Sequence, residues 1–148
     1  MIRRTLLLVL FSCFTSSTAF TQSPSSTKFR IALKISGDAA LASEIEGCIR
    51  QELSLLKNVD ISETKPDYTI NVIAMEIENK EHVPMGIAVT WLSLYHPKGF
   101  FEDCSLVEDY RLLTLEKEDI RSNCQKLVAR FDAKSLEPHR KIFQRTKP

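Results

Sequence analysis

The sequence predicts an α+β domain, a two-layer sandwich in which two helices pack on one face of a four-stranded mixed sheet. Two kinds of pattern support this prediction. Segments with alternating or continuous apolar residues are typical of strands, and two longer segments with apolar residues at three- and four-residue steps are typical of amphipathic helices. Their order along the chain is β-α-β-β-β-α. The first three elements are expected to form a right-handed βαβ unit, followed by an antiparallel meander.

The first strand has the clearest alternation. Phe29, Ile31, Leu33 and Ile35 are separated by residues that are mostly basic. This is the pattern of a strand with one buried and one solvated face. We therefore expect the other face of the strand to be open to water, because two helices can cover only one side of the sheet; its residues are Lys28, Arg30, Ala32 and Lys34.

A turn at Ser36-Gly37-Asp38 precedes the first helix, and either Ser36 or Asp38 can cap it. The helix is predicted from one apolar stripe, which is interrupted by charged residues on the other side. The stripe consists of Leu41, Ile45, Cys48, Ile49, Leu53 and Leu56.

The middle of the chain predicts two neighbouring strands. Residues 58–67 form a polar connection with Pro66 as a stop, and residues 68–77 are apolar on both faces, as in a central strand. Residues 78–84 then form a hairpin loop. Residues 86–95 form the return strand, which pairs antiparallel with the previous one.

The last part of the chain predicts a fourth strand at about residues 106–113 and a second long helix that opens at Glu116. The stripe of this helix consists of Ile120, Cys124, Leu127 and Phe131. Ser135 can cap a short final helical turn. The basic residues from His139 to Lys147 are interpreted as a solvated tail.

The first nineteen residues have the features of a secretory signal peptide. A cationic head, Met1 to Arg4, precedes an apolar run of about ten residues and the small residues Ser17 and Ala19. The apolar run is too short to span a bilayer, which takes about 20 residues. We therefore expect an extracytoplasmic protein, periplasmic or secreted, with a linker at residues 20–27 and a single domain at residues 28–148.

The alternative amino terminus is a lipidated one. Leu10-Phe11-Ser12-Cys13 resembles the lipobox of bacterial lipoproteins, in which the cysteine is acylated. A lipid on Cys13 would tether the domain to a membrane, and the Ser/Thr-rich residues 15–27 would then be a flexible tether. We favour cleavage after Ala19, in which Cys13 is only a small apolar residue of the leader.

The charge balance excludes some partners. Loss of Arg3 and Arg4 with the leader changes the net charge from +1 to about −1, which disfavours nucleic acid. The expected partner is another protein or a second copy of this chain. The expected contact surface is an apolar patch formed by the central strands on the open face of the sheet.

Three cysteines remain after leader removal, so one internal disulfide could form. Cys48 lies some 15 Å along the first helix and Cys124 some 12 Å along the second. If a disulfide forms, we expect it to join Cys48 and Cys124 and to leave Cys104 free. The expected positions of Cys104 and Cys124 along the strand and helix axes differ by about 14 Å, which is too far for a bridge. Two reduced cysteines packed in the core are the alternative.

No catalytic, cofactor or metal motif is apparent in the sequence. The three histidines, His82, His96 and His139, fall at predicted loops or ends, and no pair of ligand residues has the spacing of a metal site. The acidic pairs Glu102-Asp103 and Glu108-Asp109 lack the glycine of a calcium loop and are interpreted as solvated charges. The prediction is a non-catalytic interaction or assembly domain. The alternative is a small extracytoplasmic enzyme whose site assembles only in three dimensions.

The exported leader, the β-α-β-β order and the segment Asp67-Tyr68-Thr69-Ile70-Asn71-Val72, which opens a central strand, resemble small bacterial exported or envelope α+β domains. The pattern is similar to the amino-terminal domain of the TolB translocation protein and to curli-secretion-type lipoproteins. The resemblance covers residues 28–95. It implies an assembly or binding role and assigns no role to any residue.

Overall fold

The computed structural model describes residues 28–98 and 104–145. The leader, the linker and the acidic pair Glu102-Asp103 lie outside the described residues. Within the described ranges the chain forms β1 (Phe29–Gly37), α1 (Ala39–Ser54), β2 (Val59–Ile61), β3 (Tyr68–Glu78), β4 (Pro84–Tyr95), β5 (Leu106–Leu115), α2 (Ile120–Phe131) and α3 (Glu137–Arg145).

The strands form one mixed sheet in the order β2-β1-β3-β4-β5. β1 runs parallel to β2 and β3, and the pairs β3–β4 and β4–β5 are antiparallel. The predicted α+β class and mixed sheet are confirmed, but the predicted number of four strands is wrong. The missing strand is β2, which lies in the segment predicted as a polar connection. Its three residues are too few to show a periodicity.

The two long helices pack on one face of the sheet, as predicted. The buried residues of α1 are Ile45, Ile49 and Leu53, and those of α2 include the four predicted stripe residues. They form one core with alternate residues of the strands, including Tyr68 of β3 and Trp91 of β4. This core explains why both helices need only one apolar stripe.

The turn between β1 and α1 differs from the capping prediction. Asp38 occupies the N-cap position, but its side chain does not bond to the helix. Its Oδ2 accepts a hydrogen bond from the backbone N–H of Glu76 on β3 (2.7 Å), and its own N–H donates to the carbonyl oxygen of Ala74 (3.1 Å). Asp38 therefore ties the turn to the sheet instead of capping α1.

The carboxyl-terminal segment is helical and continuous with α2. Ser135 does not cap a separate turn, because it lies in a π-helical turn, Asp132–Leu136, that joins α2 directly to α3. The predicted start of the second helix at Glu116 is also early, since a 3-10 turn precedes Ile120. Arg140 of α3 donates hydrogen bonds to Asp132 (2.6 Å) and Glu137 (2.9 Å). Arg140 also donates to the carbonyl oxygen of Lys57, after α1 (2.9 Å), so this part of the basic segment is packed against the domain.

Within residues 28–98 and 104–145 no helix covers the other face of the sheet, as predicted, and this face carries an apolar patch. The exposed large side chains of this face on β3 and β5 are Ile73, Met75, Ile77, Val107, Tyr110 and Leu112. Ala32 is an exception to the prediction, because it is buried. It lies in a depression that the side chains of Arg30 and Lys34 and the loop residues Lys65 and Pro66 also line.

Candidate functional site

The outer edge of β5 is the most conspicuous apolar surface of the described chain. Among the described strands, β5 is the last of the sheet and pairs with β4 on one side only. Val107, Tyr110 and Leu112 point to the open face and are 64%, 57% and 64% exposed. We call these three residues the edge patch. A long, apolar, unpaired edge strand is a surface to which another strand can add.

A bulge in β5 sets which residues share a face. Leu94 of β4 pairs with Val107 and Ser93 pairs with Asp109, so that Glu108 is the extra residue. Asp109 and Arg111 consequently lie on the helix side, and the edge patch lies on the open side.

Asp109 is not a solvated charge, contrary to the sequence prediction. Its side chain is nearly buried, and it accepts two hydrogen bonds from Arg130 of α2, of 2.8 and 3.3 Å. Lys134 lies 3.7 Å and Arg111 3.8 Å from the same carboxylate. The Nε atom of Arg111 is buried and has no hydrogen-bond partner among the described residues. The Arg111 side chain as a whole is 42% exposed at the edge of the sheet.

A second candidate site lies at the end of the sheet where β3 begins and β4 ends. The register pairs Tyr68 with Tyr95, so the residues next to them, Asp67 and His96, also come together. The Asp67 carboxylate accepts a hydrogen bond from the backbone N–H of Arg30 (2.8 Å) and contacts the ammonium group of Lys98 (2.5 Å). Asp67 thus joins the start of β1 to the segment after β4.

α3 closes this end of the sheet with His139. The Nδ1 atom of His139 contacts the hydroxyl group of Tyr68 and lies 3.0 Å from the carbonyl oxygen of Ser135. Its ring stacks on Tyr95 with 4.7 Å between centroids. Tyr68 is buried, and this burial, together with the nearby negative charge of Glu108, raises the pKa of its hydroxyl group well above the usual value. Tyr68 therefore stays neutral and serves as a hydrogen-bonding group.

A cavity of about 210 Å³ opens between these elements. Its aromatic walls are Phe29, Tyr95 and Phe143, and the rings of Phe29 and Phe143 lie 6.2 Å apart. Its polar walls are Asp67, Lys98 and the two histidines, His96 and His139. We call it the aromatic cavity.

The structure brings together two of the three histidines singled out in the sequence. His96 bonds to the hydroxyl groups of Thr69 (2.7 Å) and Ser105 (2.9 Å), and His139 bonds as described above. His82 lies in the exposed hairpin loop beside Glu78. Hydroxyl or carbonyl groups hydrogen-bond to each of the two cavity histidines and fix the orientation of its ring in the cavity wall.

Asp67, Lys98 and Phe29 were not singled out in the sequence as site residues. Their separation along the chain hides their proximity, which depends on the β3–β4 register and on the position of β1. The available signal was positional: Asp67 directly precedes a predicted strand, and Lys98 closely follows its antiparallel partner.

Among the described residues, no cluster of three or more histidine, cysteine or acidic side chains could hold a metal ion. Within the same ranges, no helix is long and apolar enough to cross a bilayer. The three described cysteines are not joined by a disulfide. Burial, together with the neighbouring thiol of Cys48 on α1, raises the pKa of the Cys124 thiol on α2.

The mixed sheet with helices on one face defines a small α+β domain, and comparison with solved structures finds the same fold in a bacterial protein. XCC0632 from Xanthomonas campestris, of the DUF330 family, superimposes with a TM-score of 0.55 at 8% sequence identity, over 79% of this chain and 92% of that one. PelC from Paraburkholderia phytofirmans, a dodecamer in its structure, gives a TM-score of 0.44 at 11% identity, over 72% and 87%.

No protein-family model matches the sequence, and a search of curated proteins finds no match. The likeness to XCC0632 shows the fold alone, because the identity is so low. The likeness to XCC0632 supports the resemblance to small bacterial α+β proteins at that level, and its TolB-specific part stays a prediction.

Proposed function

We propose that the mature chain is an exported, non-catalytic assembly domain that associates with a second copy of itself along the outer edge of β5. The leader supports export, because it has the cationic head, apolar run and small-residue exit of a signal peptide. The observation that carries the proposal is the apolar, unpaired edge of a ten-residue strand.

The second copy is the proposed occupant because β5 is complementary to itself. An antiparallel pairing centred on Tyr110 places Tyr110 opposite Tyr110 of the other copy. Because Glu108 is the bulged residue, Arg111 then faces Asp109, and Leu112 faces Val107. Each pair joins residues of the same face of the sheet.

The proposed contacts supply what each copy lacks at this edge. The backbone groups on the outer side of β5 gain partners, as in any added strand. The oppositely charged Arg111 and Asp109 lie across from each other, and the exposed side chains of the edge patch cover one another. The two-fold axis passes through the Tyr110 pair and produces each of the other contacts twice, which is the usual symmetry of a dimer.

The test is sedimentation equilibrium of the mature protein over a range of concentrations. We expect a monomer–dimer equilibrium with a Kd on the order of 10 μM, as for a small interface. Leu112→Lys should weaken dimerisation at least about tenfold, because it removes two apolar contacts per dimer and introduces two charges.

The matched control is Leu55→Lys. Leu55 is another exposed leucine, at the end of α1 and 71% exposed, so the same substitution there should leave the equilibrium unchanged. A wild-type protein that is still monomeric at about 200 μM would contradict the proposal. Equal weakening by both substitutions would also contradict it.

A further inference from the structure

The charged residues of the aromatic cavity determine whether it favours a positively or a negatively charged ligand. Its deepest charge is the Asp67 carboxylate, whose side chain is only 9% exposed, whereas that of its partner Lys98 is 71% exposed. A nearly buried carboxylate requires a counter-ion, because desolvated charge is costly when unpaired. Lys98 supplies that counter-ion from a solvated side chain, which pays rotamer entropy to remain in place.

The pairing of Asp67 explains why the ammonium group of Lys98 can be replaced. One carboxylate oxygen, Oδ2, is committed to the backbone N–H of Arg30, and the other, Oδ1, contacts only Lys98 among the described residues. Another ammonium group at the same position would make the same charge-assisted contact. An anion in the cavity would instead meet the Asp67 carboxylate and be repelled.

The apolar walls determine what the rest of such a ligand would be. Phe29, Tyr95 and Phe143 line the cavity, and aromatic faces favour both apolar groups and cations. The volume of about 210 Å³ exceeds the roughly 150 Å³ that accommodates benzene in a protein interior. Arg140, whose guanidinium lies 5.9 Å from the Phe29 ring, is itself paired with Asp132 and Glu137.

We propose that the aromatic cavity binds a small primary ammonium compound with an aromatic or short alkyl group. The nitrogen of the ligand replaces Lys98 Nζ at the Asp67 carboxylate, and its apolar group lies between Phe29, Tyr95 and Phe143. This site is separate from the edge of β5 and does not depend on the proposed self-association.

Benzylammonium is the probe, and its matched competitors are benzoate and benzyl alcohol, which have the same ring with negative and no charge. Binding is followed by chemical-shift changes of the mature protein at constant ionic strength. A ligand of this size is expected to bind with a Kd on the order of 1 mM. Benzylammonium should bind at least about fivefold more tightly than benzyl alcohol, and benzoate should be the weakest.

Two substitutions at the charge pair should act in opposite directions. Asp67→Asn keeps an oxygen that can accept from the Arg30 N–H and should weaken benzylammonium binding about tenfold. Lys98→Ala removes the internal competitor and should strengthen it about threefold. Lys126→Ala, which removes an exposed lysine of α2, is the control and should change nothing.

Preferred binding of benzoate, or binding of benzylammonium that Lys98→Ala weakens or leaves unchanged, would overturn the proposal. Absence of benzylammonium binding to both the wild type and Lys98→Ala would also overturn it. Because the side chain of Lys98 is exposed, Lys98→Ala should fold. It therefore still tests the proposal if Asp67→Asn fails to fold.

Discussion

Gly37 is the position at which a single methyl group should harm this fold most clearly. It has φ of +119°, and a Cβ atom built there would lie 1.8 Å from the carbonyl oxygen of Ala74 on β3. Ordinary van der Waals contact needs about 3.5 Å, so Gly37→Ala must move β1 away from β3. Backbone movement would disturb the hydrogen bond from Asp38 N–H to the same oxygen.

The expected cost is the sum of two effects. The unfavourable φ contributes about 1–2 kcal/mol, and the weakened backbone hydrogen bond contributes about 1 kcal/mol. We therefore expect Gly37→Ala to lower the free energy of unfolding by about 2–3 kcal/mol. Urea unfolding followed by the fluorescence of the single, buried Trp91 measures this change.

The matched control is Gly47→Ala in the interior of α1, where a Cβ atom would meet nothing within 4 Å. Alanine is the better helix former, so this substitution should raise the free energy of unfolding by about 0.5–1 kcal/mol. The reasoning would be refuted if Gly37→Ala unfolded within 1 kcal/mol of the wild type, about the size of the control effect.

Three further predictions concern Tyr68, the cysteines and the amino terminus. Because the pKa of Tyr68 is raised in the folded state, its contribution to stability is present below about pH 10 and is lost as the pH rises further. In urea unfolding at pH 8–11, Tyr68→Phe should make the free energy of unfolding fall less steeply with pH. An unchanged pH dependence would contradict this prediction. Oxidation should join Cys48 to Cys124, because the Cys48 thiol is near enough to contribute to the raised pKa of Cys124, and peptide mapping without reduction should find this bridge and no other. The intact mass of the exported protein should correspond to a start at Phe20, whereas a mass increased by acyl chains would indicate lipidation at Cys13.

The main elements of the fold were predictable because their signals are local. The alternation of β1 and the stripes of α1 and α2 follow directly from which faces are buried. β2 was missed because three residues carry no period, and its pairing is decided by the neighbouring edge of β1. The predicted capping roles of Asp38 and Ser135 were wrong, because Asp38 bonds to β3 and Ser135 lies inside a π-helical turn.

The candidate sites were predictable only in part, for a related reason. The exposed patch on the open face followed from counting helices against sheet faces. The bulge at Glu108, which decides which side chains of β5 share a face, has no sequence signal of its own. Asp67 and Lys98 meet only because two strands pair in one register, which a one-dimensional pattern does not contain.

The proposed dimer depends on one register, and a cysteine at its centre tests that register directly. Residues opposite each other in an antiparallel pair have Cα atoms about 4.5–5.5 Å apart, within the range of a disulfide. In a protein that also carries Cys104→Ser, which removes the exposed native thiol, Tyr110→Cys should form a covalent dimer under mild oxidation. Peptide mapping should show a bridge between residue 110 of each copy, and Leu55→Cys should give no dimer. The account would be contradicted if Tyr110→Cys remained monomeric at concentrations at which the wild type sediments as a dimer.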